Sequence, residues 1–316
     1  MKIVFNPHIA GMGHKVRCNL IARKLKEIES GIKIKFLLRK DDPIPQKNWL
    51  DFEFVKGKWQ RSYEIITTNC LIEDGSWFND FRVKILSKVG GKIIAISNPY
   101  GFLPDYPTAK DRLKLTDLII VPWPKKLFRW PEELSELKYK VRRIEPIIHI
   151  PEELKRKEHS YNIYVSISRE TNKIFPVIQD AIKSLKNRLP NLKLLASSTY
   201  KDFKDETIHF KTILSSGLVI TQGTQVLFES SYLGIPSICI PLPWVEDQML
   251  TGKMMMNEGA IFSIPLNELS VEKLSNVIFD IFNNSSTKNE MVAKGRILVP
   301  KSGLNDAAKL ILQTIA

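Results

Sequence analysis

His14 closes the run Gly11-Met12-Gly13-His14, which follows the opening segment MKIVFNPHIA directly. Glycine reaches positive φ and lets a ligand come close to backbone. A turn that enters a helix offers unpaired amides to an anion. An imidazole there suits a general base, because its ordinary titration lies near neutrality. A simple helix cap is the alternative. The run is not GxGxxG, and no GxxxxGK[ST] phosphate loop is present. The stretch 215–248, SSGLVITQGTQVLFESSYLGIPSICIPLPWVEDQ, holds a second group of such residues. Gly223 opens a turn, and the amides of Thr224 and Gln225 face the positive end of the helix that follows. Glu229, nearly two turns into that helix, has the chemistry to grip a ribose diol, because a carboxylate accepts two hydroxyl hydrogen bonds. Asp247 and Gln248 arrive at the same edge and suit sugar hydroxyls. The alternatives are an exposed helix charge for Glu229 and an N-cap for Asp247. Cys18, one helical turn after His14, is expected to be a buried packing residue rather than a nucleophile.

These residues need elements to hold them, and short apolar runs alternate with helical patterns along the chain. Strands are expected at 2–5, 32–38, 64–68, 92–97 and 117–121. Val16, Leu20, Ile21, Leu25 and Ile28 make a helical stripe over 14–28. Residues 145–160, EPIIHIPEELKRKEHS, carry two prolines and a charge run and read as a linker. The alternation then restarts. Strands are expected at 161–168, 192–198, 217–221, 235–241 and 260–264, and helices near 173–188, 224–233 and 246–257, with a helical tail from Ser270. This is the signature of an α/β chain built as two doubly wound, Rossmann-like parallel-sheet domains. The expected domains are 1–148 and 149–316, facing a central cleft, with the final helix packing back on the first. Ligands are expected at the carboxyl ends of the strands.

Composition sets outer bounds. The chain has 316 residues, 43% of them hydrophobic. It lacks any apolar run of about 18 residues that could span a bilayer. The start, Lys2 and a short apolar run before Asn6-Pro7, does not read as a signal peptide. Three dispersed cysteines fit a reducing cytoplasm and argue against disulfides or a structural zinc. The net charge is +13, and residues 1–150 hold most of it, with 28 Lys and Arg against 17 Asp and Glu. A basic half suits an anionic partner. Trp123, Leu127, Phe128 and Trp130 interleave with Lys125, Lys126 and Arg129. A peripheral contact with an anionic membrane through 123–130 is therefore expected, against the alternative of a packed loop with exposed lysines. No RNA-binding motif is present, and nucleic acid is not expected as a partner.

The second stretch resembles the nucleotide-sugar-binding half of GT-B glycosyltransferases, the group that includes lipid II-forming N-acetylglucosaminyltransferases and UDP-glycosyltransferases. Its pattern of glycine turn, helix glutamate, LGxPxxxxP and DQ is met by Gly223, Glu229, Leu233-Gly234-Ile235-Pro236, Pro241 and Asp247-Gln248. The loop GMGHKVRC is also similar to that of the UDP-sugar hydrolases of pseudaminic acid synthesis, which reads close to GxGHVMRC and shares Arg17 and Cys18. The resemblance implies that Glu229 binds the ribose of UDP and that Gly223 and Thr224 meet the diphosphate. It implies further that Asp247 and Gln248 hold the donor sugar, and that Phe210 or Ile213 flanks the uracil. The resemblance also implies that Gly11 and Gly13 form the acceptor-side loop, with His14 as general base or, in a hydrolase, as the group that positions water.

Three positions depart from the pattern. The first C-terminal strand ends in Ser166-Ile167-Ser168-Arg169 where a glycine-rich turn is usual, so Ser168 and Arg169 would serve the diphosphate. Thr251 stands where asparagine often follows DQ. The aspartate that often orients the histidine has three candidates in ITTNCLIEDG: Asn69, Glu73 and Asp74. No DxD occurs, so metal-independent chemistry is expected, with no cofactor beyond the nucleotide-sugar substrate. The implied activity is inverting transfer of a sugar from a nucleotide sugar, UDP-linked, to a hydroxyl on a lipid-linked or glycan acceptor. It would take place in the cytoplasm at the inner face of the membrane. The rivals are a UDP-sugar hydrolase and a non-catalytic nucleotide-sugar-binding subunit.

Overall fold

A computed structural model describes residues 1–7, 12–38, 52–75, 81–97, 113–128, 132–150, 161–167, 174–198, 206–223 and 225–316. They form two compact units, Met1–His149 with Ser302–Ala316, and Ile150–Lys301.

The first unit holds strands β1 (Lys2–Pro7), β2 (Lys33–Leu37), β3 (Glu53–Val55), β4 (Cys70–Asp74), β5 (Lys92–Ile96), β6 (Leu118–Pro122) and β7 (Val141–Ile144). Their order is β3-β2-β1-β4-β5-β6-β7, and every pairing is parallel. The strand order reverses between β1 and β4, which makes that edge the switch point of a doubly wound sheet. β4 and β6 are buried along their whole length. Strands covered on both faces read as continuous apolar runs, which is why sequence located most of them. On one face Ile3, Phe5, Phe36 and Ile72 pack against Cys18, Ile21 and Leu25 of α1 (Met12–Ile28). Ala307, Ala308 and Ile311, from the C-terminal helix Leu304–Ile315, complete this core. On the other face Val4, Leu71 and Ile93 meet Ile65 of α2 (Lys58–Ile66) and Val83 and Leu86 of α3 (Phe81–Lys88).

Two expectations fail here. Residues 64–68 are not a strand: they end α2 and turn into β4. Ile65 is the inward residue of that helix, and its packing on Leu71 and Leu86 overrides the β-branched preference of the local run. Trp123, Leu127 and Phe128 do not form a membrane-facing surface. All three are buried, and only Lys125 and Lys126 point outward. Arg129 and Trp130 lie outside the described residues.

The second unit holds β8 (Asn162–Ser166), β9 (Lys193–Ser198), β10 (Leu218–Thr221), β11 (Ser237–Cys239) and β12 (Phe262–Ser263), in the order β12-β11-β10-β8-β9, all parallel. Its switch point lies between β8 and β10. The helices are α4 (Ile174–Ser184), α5 (Glu206–Leu214), α6 (Gln225–Leu233), α7 (Glu246–Asn257), α8 (Val271–Asn283) and α9 (Ser285–Leu298). Ile163, Val165, Ile220 and Ile238 pack beneath Ile178 and Ile182 of α4 and Leu274, Ile278 and Ile281 of α8. Tyr164, Val219, Ile213 and Ile235 form a smaller cluster on the opposite face. Among the described residues, no helix is long and apolar enough to cross a membrane.

Candidate active site

In the first unit, chemistry gathers at the switch point. Pro7, the last residue of β1, pairs with Asp74, the last of β4. The first turn of α1 carries His14 to the end of β4. His14 Nδ1 lies 2.8 Å from Asp74 Oδ1. Arg17, nearly one turn on, donates through Nε to Asp74 Oδ2 at 2.8 Å and through Nη2 to Oδ1. The Asp74 side chain is wholly buried, whereas that of His14 keeps 30% of its exposure. Burial alone would raise the Asp74 carboxyl. The Arg17 charge and then that of His14, with hydrogen bonds from both, hold it well below the usual carboxylate range. Arg17 Nη2 also lies 3.1 Å from His14 Nδ1; both nitrogens face the Asp74 carboxylate, which only accepts, so Nδ1 carries the proton toward it and Nε2 is left to accept one.

Gly75 completes the wall. Its φ is +62°, and a Cβ there would stand 2.6 Å from His14 Cε1. Any larger residue would push the imidazole aside. Of the three orienting candidates, Asp74 is the one that meets His14; Asn69 Oδ1 instead accepts from the Lys2 amide at 2.8 Å. Arg17 and Gly75 were not singled out from sequence. The available signal was the Asp-Gly pair at the end of a buried strand. The Cys18 thiol is pushed well up by burial and then by the Asp74 carboxylate, as expected of a packing residue.

In the second unit, Gly223 follows β10 with φ +124°. A Cβ there would lie 3.5 Å from the Gln248 side chain and 3.6 Å from Cys239 Sγ. The space is adequate, and the backbone angle is what calls for glycine. Gln248 and Asp247 sit in the first turn of α7. Gln248 Oε1 accepts from the Leu242 amide at 3.1 Å, which ties α7 to the loop after β11. Gly223 and Gln248 therefore meet at the carboxyl ends of β10 and β11, with Asp247 beside Gln248.

Glu229 is not an exposed helix charge. It is 4% exposed. Its Oε1 accepts from Gln225 Nε2 at 2.9 Å, and its Oε2 lies 2.8 Å from His209 Nε2. Phe210 and Ile213 belong to the packed interior. Both are buried. Phe210 packs edge-on against His209, and Ile213 belongs to the Tyr164 cluster. Gly13 is half-buried in the first turn of α1. Gly11, Ser168, Arg169 and Thr224 lie outside the described residues.

Residues 147–311 match the glycosyltransferase family 28 C-terminal domain. The UDP-N-acetylglucosamine--N-acetylmuramyl-(pentapeptide) pyrophosphoryl-undecaprenol N-acetylglucosamine transferase of Rickettsia bellii (strain RML369-C) is 28% identical over 153 residues, covering 40% of this chain and 42% of that protein. The chain thus spans less than half the length of this curated relative. Among solved structures, MurG of Acinetobacter baumannii superposes with a TM-score of 0.66 at 13% identity, over 99% of this chain and 100% of that one. The UDP-GlcNAc 2-epimerase from Neisseria meningitidis bound to UDP-GlcNAc superposes with a TM-score of 0.61 at 11% identity, over 100% of this chain and 99% of that one. At such identities the likeness is one of fold, and the fold is GT-B.

Proposed function

The chain belongs to glycosyltransferase family 28, and from that premise we propose that it transfers a sugar from a nucleotide sugar to an acceptor hydroxyl with His14 as general base. The observation that carries this reading is the His14–Asp74 pair, with a buried, ionised carboxylate behind a part-exposed imidazole. His14 Nε2 takes the acceptor proton as the acceptor oxygen attacks the anomeric carbon. The bond from that carbon to the diphosphate breaks in the same step, so the anomeric centre inverts. Asp74 steadies the imidazolium that forms, as in other oriented histidine bases. The leaving diphosphate would meet backbone amides at the Gly223 turn and the start of α6, together with Thr224, Ser168 and Arg169. The absence of a DxD motif supports metal-independent chemistry.

Glu229 would take the ribose, and Asp247 and Gln248 the donor sugar. The relative's name supports UDP-N-acetylglucosamine as donor and a lipid-linked acceptor, which would place the enzyme in the cytoplasm at the inner membrane face. Lys125 and Lys126 are what remains of the expected membrane contact. One observation favours a second reading. Arg17 and Cys18, the residues shared with the hydrolase loop, both lie on Asp74, so water is the alternative acceptor.

Thermal shift with UDP, GDP, dTDP, CMP and ADP tests the donor site. The reading predicts a shift specific to UDP that Glu229→Ala abolishes. No shift with any nucleotide would overturn it. Consumption of UDP-N-acetylglucosamine without an acceptor would favour the hydrolase.

A further inference from the structure

Behind Glu229 lies a histidine that the reaction does not use directly. His209 of α5 is 6% exposed and Tyr164 of β8 is 2% exposed. His209 Nε2 lies 2.8 Å from Glu229 Oε2, and His209 Nδ1 lies 3.1 Å from the Tyr164 hydroxyl. The chemistry of the partners fixes one proton: Glu229 only accepts, so Nε2 carries hydrogen toward it. Nδ1 shares a hydrogen bond with the Tyr164 hydroxyl, which can donate or accept. The ring is also held edge-on by Tyr164, with centroids 5.8 Å apart, and by Phe210 at 5.1 Å. Two elements, α5 and β8, thus fix the imidazole that meets the Glu229 carboxylate of α6.

The count of lone pairs gives the arrangement its use. A carboxylate offers about four acceptor sites, two on each oxygen. Gln225 takes one on Oε1 and His209 takes one on Oε2. One site on each oxygen is left, which matches the two hydroxyl donors of a vicinal diol. Both donors also replace water that a buried carboxylate has lost, which lowers the cost of keeping it charged.

We infer that His209 is a positioning residue for the nucleotide's ribose: with Tyr164 behind it, it fixes the Glu229 carboxylate so that both oxygens meet the 2′- and 3′-hydroxyls together. This rests on the proposal that Glu229 meets the donor ribose. It goes beyond that proposal by making diol recognition depend on a side chain that never touches the nucleotide.

The test compares UDP with 2′,3′-dideoxy-UDP by calorimetry on the wild type, Glu229→Gln, His209→Phe, His209→Gln and Tyr164→Phe. The wild type should prefer UDP by at least about tenfold, the order expected for hydrogen bonds to a charged group. Both Glu229→Gln and His209→Phe should bring the ratio close to one, with dideoxy-UDP affinity within about twofold of wild type. His209→Gln, which keeps an N–H donor, should restore part of the preference. Binding of dideoxy-UDP is also the proof of folding. Should His209→Phe fail to fold, Tyr164→Phe carries the same comparison, with a predicted loss of about threefold in the ratio. If Glu229→Gln erases the preference while His209→Phe, or Tyr164→Phe in its place, retains it, His209 is merely structural and the inference fails while the donor site stands. If Glu229→Gln leaves the preference intact, the ribose reading itself fails and the inference falls with it.

Discussion

Among the described residues each unit carries a histidine–carboxylate pair at 2.8 Å, and the two pairs differ in burial: the imidazole of one is part-exposed, whereas both members of the other are buried. In the first, Asp74 is fully buried and the His14 side chain is 30% exposed. In the second, the side chains of His209 and Glu229 are 3% and 5% exposed. The first order runs from hidden carboxylate to available imidazole, which is the order of a base. The second runs from a hydroxyl through a trapped imidazole to a carboxylate, which is the order of a rigid acceptor. A pair whose imidazole is part-exposed suits proton transfer, and a pair buried on both members suits a fixed acceptor.

Substitutions should separate the two pairs. His14→Ala is expected to lower kcat about 10²–10⁴-fold, the usual worth of a positioned general base, while UDP affinity stays within twofold. A comparable loss in UDP affinity would mean that the two regions are not doing different work. Asp74→Asn comes next. It should lower kcat by up to about 10⁴-fold through loss of an oriented imidazole. It should also destabilise the fold by about 3–5 kcal/mol, because Arg17 is left buried beside a neutral group; chemical denaturation reads the second effect. The folded-state Asp74 carboxyl is depressed. Its contribution to stability is therefore fully present above the unfolded carboxylate value of about 3.9 and disappears only as pH falls below it. In pH-stability profiles, the gap between wild type and Asp74→Asn should accordingly persist above about pH 4 and close only in strong acid.

Gly75→Ala tests the packing of the pair rather than its charge. The residue has positive φ and its Cβ would press on His14. A stability loss of about 1–3 kcal/mol is expected, with a fall in kcat and little change in UDP affinity. Ile213→Val should have the smallest effect, about 0.5–1.5 kcal/mol of stability, and no effect on discrimination between UDP and GDP. A change in that discrimination would place Ile213 at the base site.

Sequence showed the sheets well and the supporting shell poorly, for reasons that the residues make plain. Strands such as β5 and β10 are buried on both faces, so they appear as short apolar runs between turn signals. The run at 64–68 looked the same but belongs to a helix, because Ile65 finds its partners across two helices and a strand. Asp74 could not be told from Glu73 because the strand CLIED is buried throughout, so alternation does not mark a face. His209 sits in IHFKTIL, where a lone histidine reads as core. It is in fact core, and its role lies only in what it touches. The mixture of tryptophan and lysine at 123–126 fits an interface or a packed loop equally, and burial chooses the loop for Trp123.

The central claim is that His14, oriented by Asp74, is the base of a nucleotide-sugar enzyme. The direct measurement is turnover of UDP-N-acetylglucosamine by wild type and His14→Asn, with UDP affinity taken on the same samples. The account predicts turnover reduced at least about 10²-fold and unchanged UDP affinity. A His14→Asn variant that turns over at the wild-type rate would contradict it.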